Sequence, residues 1–168
     1  MKKSSLLLPL LALLLWILPA SAAAADTGRI VFTAGEKEIT VSGSVYKFDA
    51  PSVIQRGRFY VPVSALSRAI GAVAAWNNKT RCATMMLNRS SRRYTVKMGA
   101  DSNLITLTNS PGGGISAQFV TARKIDMEAP VLLLNGRLMI PLRPLAEALG
   151  YKVIWQPQSN SVELITDI

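Results

Sequence analysis

The chain has 168 residues, with 19 Lys+Arg against 10 Asp+Glu, a formal net charge of +9, one cysteine and no histidine. The missing histidine removes Ser-His-Asp and Cys-His catalysis and the usual zinc and copper sites. The single Cys82 removes any intrachain disulfide and has no histidine to activate it, so it reads as a small half-buried strand residue.

Met1-Lys2-Lys3, the apolar run over residues 6–18 and the small residues up to Ala25 have the three-part form of a secretory signal peptide, with cleavage expected after Ala25 or Ala22. The apolar run is shorter than the roughly 20 residues a membrane span needs. No cysteine follows it to carry a lipid, and no later stretch is a candidate span. Residues 26–168 then carry a net charge of +7, once Lys2 and Lys3 are removed, and form one domain with a real core.

Short strands are expected at 29–33, 38–41 and 45–48, separated by turns at 34–37 and 42–44. Glu36 and Glu38 flank Lys37 and are the one close carboxylate pair; they read as charged turn residues rather than a hydrolytic pair. A strand near Val53-Ile54, a turn through Gln55-Arg56-Gly57, a strand at 58–61 and a helix ending at Ile70 follow, with Val63, Leu66 and Ile70 on the buried face. Trp76 leads through the polar turn 77–80 to a strand at 82–87. Residues 93–98 alternate, with Tyr94, Val96 and Met98 on one face and Arg93, Thr95 and Lys97 on the other. A strand at 104–108, a flexible loop at 109–114 (NSPGGG) and strands at 116–121 and 124–127 come next.

The last stretch, APVLLLNGRLMIPLRPLAEALGYKVIW, is a complete supersecondary unit. Val131 to Leu134 suits a strand, Asn135-Gly136 is a hairpin turn signal, and residues 138–140 return. Pro141 and Pro144 open a helix whose Leu142, Leu145 and Leu149 share a face, and Gly150 ends it. A strand at 153–155, a turn at 156–160 and a strand at 161–165 close the chain. The same unit occurs 79 positions earlier, with nine identities in the 37 ungapped positions 50–86 and 129–165. The identities are Ala, Gly, Pro, Arg, Leu and Trp, which mostly specify turns and packing, with no nucleophile, acid or metal ligand among them. Trp76 and Trp155 are expected to be buried against their own units' helices. The fold class expected is α+β, mostly antiparallel short strands with two short helices, built on an internal repeat of a strand-turn-strand-helix-strand unit.

These units, A50-P-S-V-I-Q-R-G-R-F-Y-V-P-V-S-A-L-S-R-A-I-G…W76 and A129-P-V-L-L-L-N-G-R-L-M-I-P-L-R-P-L-A-E-A-L-G…W155, resemble the copper amine oxidase N-terminal domain-like, or stalk-domain, family over about residues 28–166. The second unit follows the family pattern almost throughout. The first departs from it at Ser64, at Arg68 and in carrying Arg56-Gly57 for Asn-Gly. The resemblance implies an exported, non-catalytic module of a Gram-positive-type bacterium, secreted or held at the cell wall, with no copper or other cofactor and no catalytic residue to carry over.

The charge is uneven. Between Asp49 and Asp101 there are nine basic residues and no acidic one, so the first unit supplies the whole net charge of the exported chain. Arg81, Arg89, Arg92, Arg93 and Lys97 are expected to converge on one sheet edge as a polyanion-binding surface. Outside a bacterium the polyanion would be an anionic wall polymer associated with peptidoglycan, an anionic lipid headgroup or extracellular nucleic acid; no nucleic-acid motif accompanies the charge, and no intracellular nucleic acid is a partner. The alternatives are a solvated basic face that only keeps the protein in solution and a purely structural module that contacts another surface protein. Cys82, Met85, Met86 and Met98 are the soft donors nearest one another, and strand alternation splits them across two faces.

Overall fold

The structure is a computed structural model that describes residues 28–89, 91–112 and 120–166. Fourteen strands and two helices are laid out among these residues. The strands are β1 (Arg29–Thr33), β2 (Glu38–Val41), β3 (Ser44–Lys47), β4 (Val53–Gln55), β5 (Arg58–Pro62), β6 (Val73–Asn77), β7 (Cys82–Arg89), β8 (Arg92–Gly99), β9 (Leu104–Pro111), β10 (Thr121–Asp126), β11 (Leu132–Leu134), β12 (Arg137–Pro141), β13 (Tyr151–Gln156) and β14 (Ser161–Thr166). Helix α1 (Val63–Ala69) follows β5 and α2 (Leu142–Ala148) follows β12.

They form three sheets, in the orders β13-β14-β1-β2-β3, β10-β9-β8-β7-β6 and β11-β12-β5-β4, and every strand pairing is antiparallel. The fold class is therefore mostly antiparallel strands with two short helices, as expected.

The turns explain the hairpins. Asn135 and Gly136 both have positive φ (49° and 75°), which a two-residue turn matched to the strand twist requires. Arg56-Gly57 adopts the same geometry, with Arg56 at φ 50°. A left-handed non-glycine residue costs about 1 kcal/mol, and asparagine tolerates that region better than arginine. Replacing Arg56 with Asn is expected to raise the unfolding free energy by about 0.5–1 kcal/mol in urea titration, without changing the slope.

Each helix starts at a proline, Pro62 or Pro141, in extended backbone, where a missing N–H costs nothing. Pro144 lies in the first turn of α2, where its N–H would have had no intrahelical partner. After α1, the Gly71 N–H donates to Arg68 O (3.2 Å) and the Ala72 N–H to Ser67 O (2.7 Å), which closes the helix on a left-handed glycine. The helices pack against the central sheet and the flanking strands, α1 on β5, β6, β12 and β2, and α2 on β13, β10 and β5. Val61, Leu66, Ile140, Leu145, Phe32 and Leu164 are among the fully buried side chains there.

Residues 79 apart hold matching register positions. Val53↔Tyr60 corresponds to Leu132↔Met139, and Trp76↔Ala83 to Trp155↔Val162. Strands β5 and β12 pair with each other about Val61↔Ile140, flanked by Met139↔Pro62 and Pro141↔Tyr60. The first three strands follow the same rule with a different spacing. Phe32 pairs Val162 and Ile39 as Met98 pairs Ala83 and Ile105. Each flanking five-stranded sheet thus joins the closing hairpin of one segment to three strands of the other: β13-β14 to β1-β2-β3, and β6-β7 to β8-β9-β10.

Several expectations are corrected. Trp76 and Trp155 are 41% and 37% exposed, not buried against their helices. Both lie on the inner face of a sheet but on its outermost strand, β6 or β13, where the free edge leaves one side of the indole open. There the Trp76 Nε1–H donates to Asn78 Oδ1 (2.9 Å), and Trp155 meets the Phe59 ring edge-on, with centroids 6.0 Å apart. Asn109 to Pro111 belong to β9, because Tyr94, Arg93 and Arg92 supply pairing partners for them; residues 113–114 of that expected loop lie outside the described residues. Strand β10 begins at Thr121 and takes in Arg123, while most of the strand expected at 116–121 lies outside the described residues. The expected signal peptide, residues 1–25, lies outside them too. No helix among the described residues is long and apolar enough to cross a membrane.

Candidate anion-binding surface

The site begins with the hairpin β7–β8 and its alternation. On β8, Val96 and Met98 are buried while Arg93 and Lys97 are exposed on the outer face. On β9, Ile105 and Leu107 are buried, so Thr106, Thr108 and Ser110 share the outer face with Arg93 and Lys97. Lys124 of β10 pairs Thr106, which pairs Lys97. The two ammonium-bearing positions therefore flank one threonine across two strand spacings, about 10 Å, and Arg93 lies about 13 Å along β8 from Lys97. Among the described residues none of Arg92, Arg93, Lys97 and Lys124 makes an ion pair. The Arg93 Nε–H donates to Asn88 Oδ1 at 3.2 Å, which orients its guanidinium across the hairpin. Among the described residues the one acidic residue in line on this face is Asp126, whose Oδ1 accepts the Glu128 N–H at 2.8 Å.

The five arginines and lysines expected to converge do not all do so. Arg81 sits at the opposite end of β7 from the hairpin tip and pairs with Asp101 (3.1 Å). Arg89 is half-buried. Its Nη1–H donates to Leu149 O at the end of α2 (3.1 Å), and its guanidinium lies over the Tyr151 ring, 4.7 Å from the centroid. Arg123 donates to Ala148 O (3.0 Å), so two arginines satisfy the last carbonyls of α2, where positive charge is favoured. Arg92 lies at the tip opposite Arg89. The surface that the geometry supports is Arg93, Lys97 and Lys124, with Arg92 at its end. The sequence reading missed Lys124 because β10 (TARKID) has no clean alternation; only its register to β9 puts it beside Lys97.

Replacing Arg89 with Gln is expected to cost about 1–2 kcal/mol through the lost cation–π contact and helix cap, whereas Arg93→Gln leaves the melting temperature within a degree or two. Tyr151 gives this contact a pH signature. Burial pushes its hydroxyl above the ordinary 10.0, partly opposed by the charge and hydrogen bond of Arg89. The neutral form is therefore favoured in the folded state. That stability is complete below pH 10 and lost as pH rises through the folded value. Tyr151→Phe should flatten the alkaline limb of a stability–pH curve.

The soft donors divide as alternation requires: Met85 and Met98 are core residues, while Met86 is 43% exposed on the other face of β7. Glu38 pairs with Lys47 (3.1 Å), and Glu36 is an exposed turn residue. The two tryptophans border surface clefts of about 290 and 380 Å³. One lies between Trp155 and Ile54, Arg58 and Phe59; the other lies between Trp76 and Leu133, Arg137 and Leu138. The lining residues correspond at the same spacing of 79. So do the ion pairs beside them, Arg58–Glu128 and Arg137–Asp49.

A family model, copper amine oxidase N-terminal domain, matches residues 21–85 and again residues 40–164. The chain belongs to the copper amine oxidase N-terminal domain family. The copper amine oxidase N-terminal domain is a non-catalytic, stalk-like module, which agrees with a site made of exposed cations rather than of nucleophiles or ligands. No curated protein and no solved structure matches the chain.

Proposed function

We propose that the protein is an exported, non-catalytic module that holds to the bacterial cell wall by binding anionic wall polymers on the outer face of the sheet β6–β10. The observation that carries this reading is the placement of Arg93, Lys97 and Lys124 on one solvent-facing sheet surface, with no ion pair to any of them among the described residues. By contrast, Arg29, Arg58, Arg81 and Arg137 are each held by an acidic partner. Paired cations are already screened; unpaired ones on a flat face leave a field that attracts a repeating anion without requiring a close fit. The threonine hydroxyls between them supply further donors. Export rests on the leader-like residues 1–25. A doubled unit, residues 50–86 and 129–165, is the architecture we infer, supported by the matching registers and by the two overlapping family matches. Co-sedimentation with purified walls tests the function. Retention is expected on intact walls and lost on walls stripped of their anionic polymers; equal retention on both would leave the structural module that contacts a protein partner.

A further inference from the structure

The six strands at the ends of the three sheets are β3, β13, β6, β10, β4 and β11. Natural edges are blocked by charge, by proline or by shortness. Strands β4 and β11 are three residues long, β3 ends in Lys47, β10 carries Arg123, Lys124 and Asp126, and β13 carries Lys152. Strand β6, Val-Ala-Ala-Trp-Asn, has none of these devices, and all five of its residues are exposed. Its counterpart at a spacing of 79 is β13, where Lys152 occupies the position that Val73 occupies in β6: Val73 pairs Met86 and Lys152 pairs Ile165. The guard present on one edge is missing from the other. In its place stands Val73 (67% exposed), beside Met86 (43%) on the outer face, while Trp76 (41%) is exposed on the inner face.

We propose that β6 is a self-association edge, on which a second copy of this chain adds its own β6 in antiparallel register about a two-fold axis at Ala75. The pairing is self-complementary. Ala74 lies opposite Trp76 of the other copy, so a small residue leaves room for each indole. Val73 lies opposite Asn77, and Ala75 opposite itself. The two sheets β6–β10 become one continuous sheet. The nearest cation along the chain, Lys79, is four residues past the axis in each copy; the two are therefore held on the order of 26 Å apart, beyond the screening length. Five residues bury far less than a standard interface, so the dimer is weak, with Kd expected on the order of 0.1 mM. High salt does not dissolve it, because it rests on backbone pairing and apolar contact; wall binding by the cationic face of the same sheet has the opposite salt dependence.

Sedimentation velocity of the purified protein in 0.5 M NaCl tests this from about 10 µM to 1 mM. The expected result is a monomer at the low end and a dimer at the high end. Val73→Lys, which copies the residue β13 already tolerates at that register, should weaken the dimer by about tenfold or more with an unchanged melting temperature. In a Cys82→Ser background, Ala75→Cys should form a disulfide-linked dimer on oxidation, while Thr106→Cys in the middle of the same sheet should not. A monomer throughout, a dimer indifferent to Val73→Lys, or equal cross-linking at both positions would overturn the proposal.

Discussion

Truncating Ile140 to alanine is expected to destabilise the protein by about 2–5 kcal/mol, a large part of the stability of a domain this size. Ile140 is fully buried and lies where β12 crosses its partner β5, opposite the equally buried Val61. The central sheet pairs β5 of residues 50–86 with β12 of residues 129–165, and both helices pack over it. A cavity there cannot collapse without shifting a strand of each segment. Chemical denaturation should show a lower midpoint and a single transition in both the wild type and the variant. Two separated transitions would mean that the segments unfold independently. Trp76→Ala and Trp155→Ala should each cost less than Ile140→Ala, about 1–2 kcal/mol, because the indoles are more than a third exposed.

The second large effect is on binding. Replacing Arg93, Lys97 and Lys124 together with Gln should reduce retention on anionic walls by roughly tenfold, since three exposed contacts at a few tenths to 1 kcal/mol each sum to about 1.4 kcal/mol. The fold should be unaffected, because none of the three makes an ion pair among the described residues and all are exposed. A charge-matched variant, Lys37, Arg143 and Lys152 to Gln, removes cations from other surfaces and should bind nearly as the wild type does.

Much of the fold was legible because turns and alternation are local. Asn135-Gly136, Pro62, Pro141, Gly71 and Gly150 mark their own backbone geometry, and β1, β7, β8 and β9 alternate visibly. What was not legible depends on neighbours. Trp76 and Trp155 hold register positions 79 apart, but whether they are covered depends on β6 and β13 lying at sheet edges, which the order of the strands decides. Strand β10 exists because β9 offers it a ladder. Arg89 looks in sequence like its neighbours Arg92 and Arg93; only the return of α2 to the hairpin tip supplies the Tyr151 face and the Leu149 carbonyl that occupy it. The same long-range packing separated Arg81 from the site and brought Lys124 in.

The claim that this sheet face holds wall polymers by its field is tested most directly by a salt titration of wall binding, wild type against the Arg93/Lys97/Lys124 variant. Raising salt from 0.1 to 1 M shortens the screening length from about 10 to about 3 Å. The expected result is steep loss of wild-type retention across that range and a weaker, flatter curve for the variant. Wild-type binding indifferent to salt, or two superimposable curves, would contradict it.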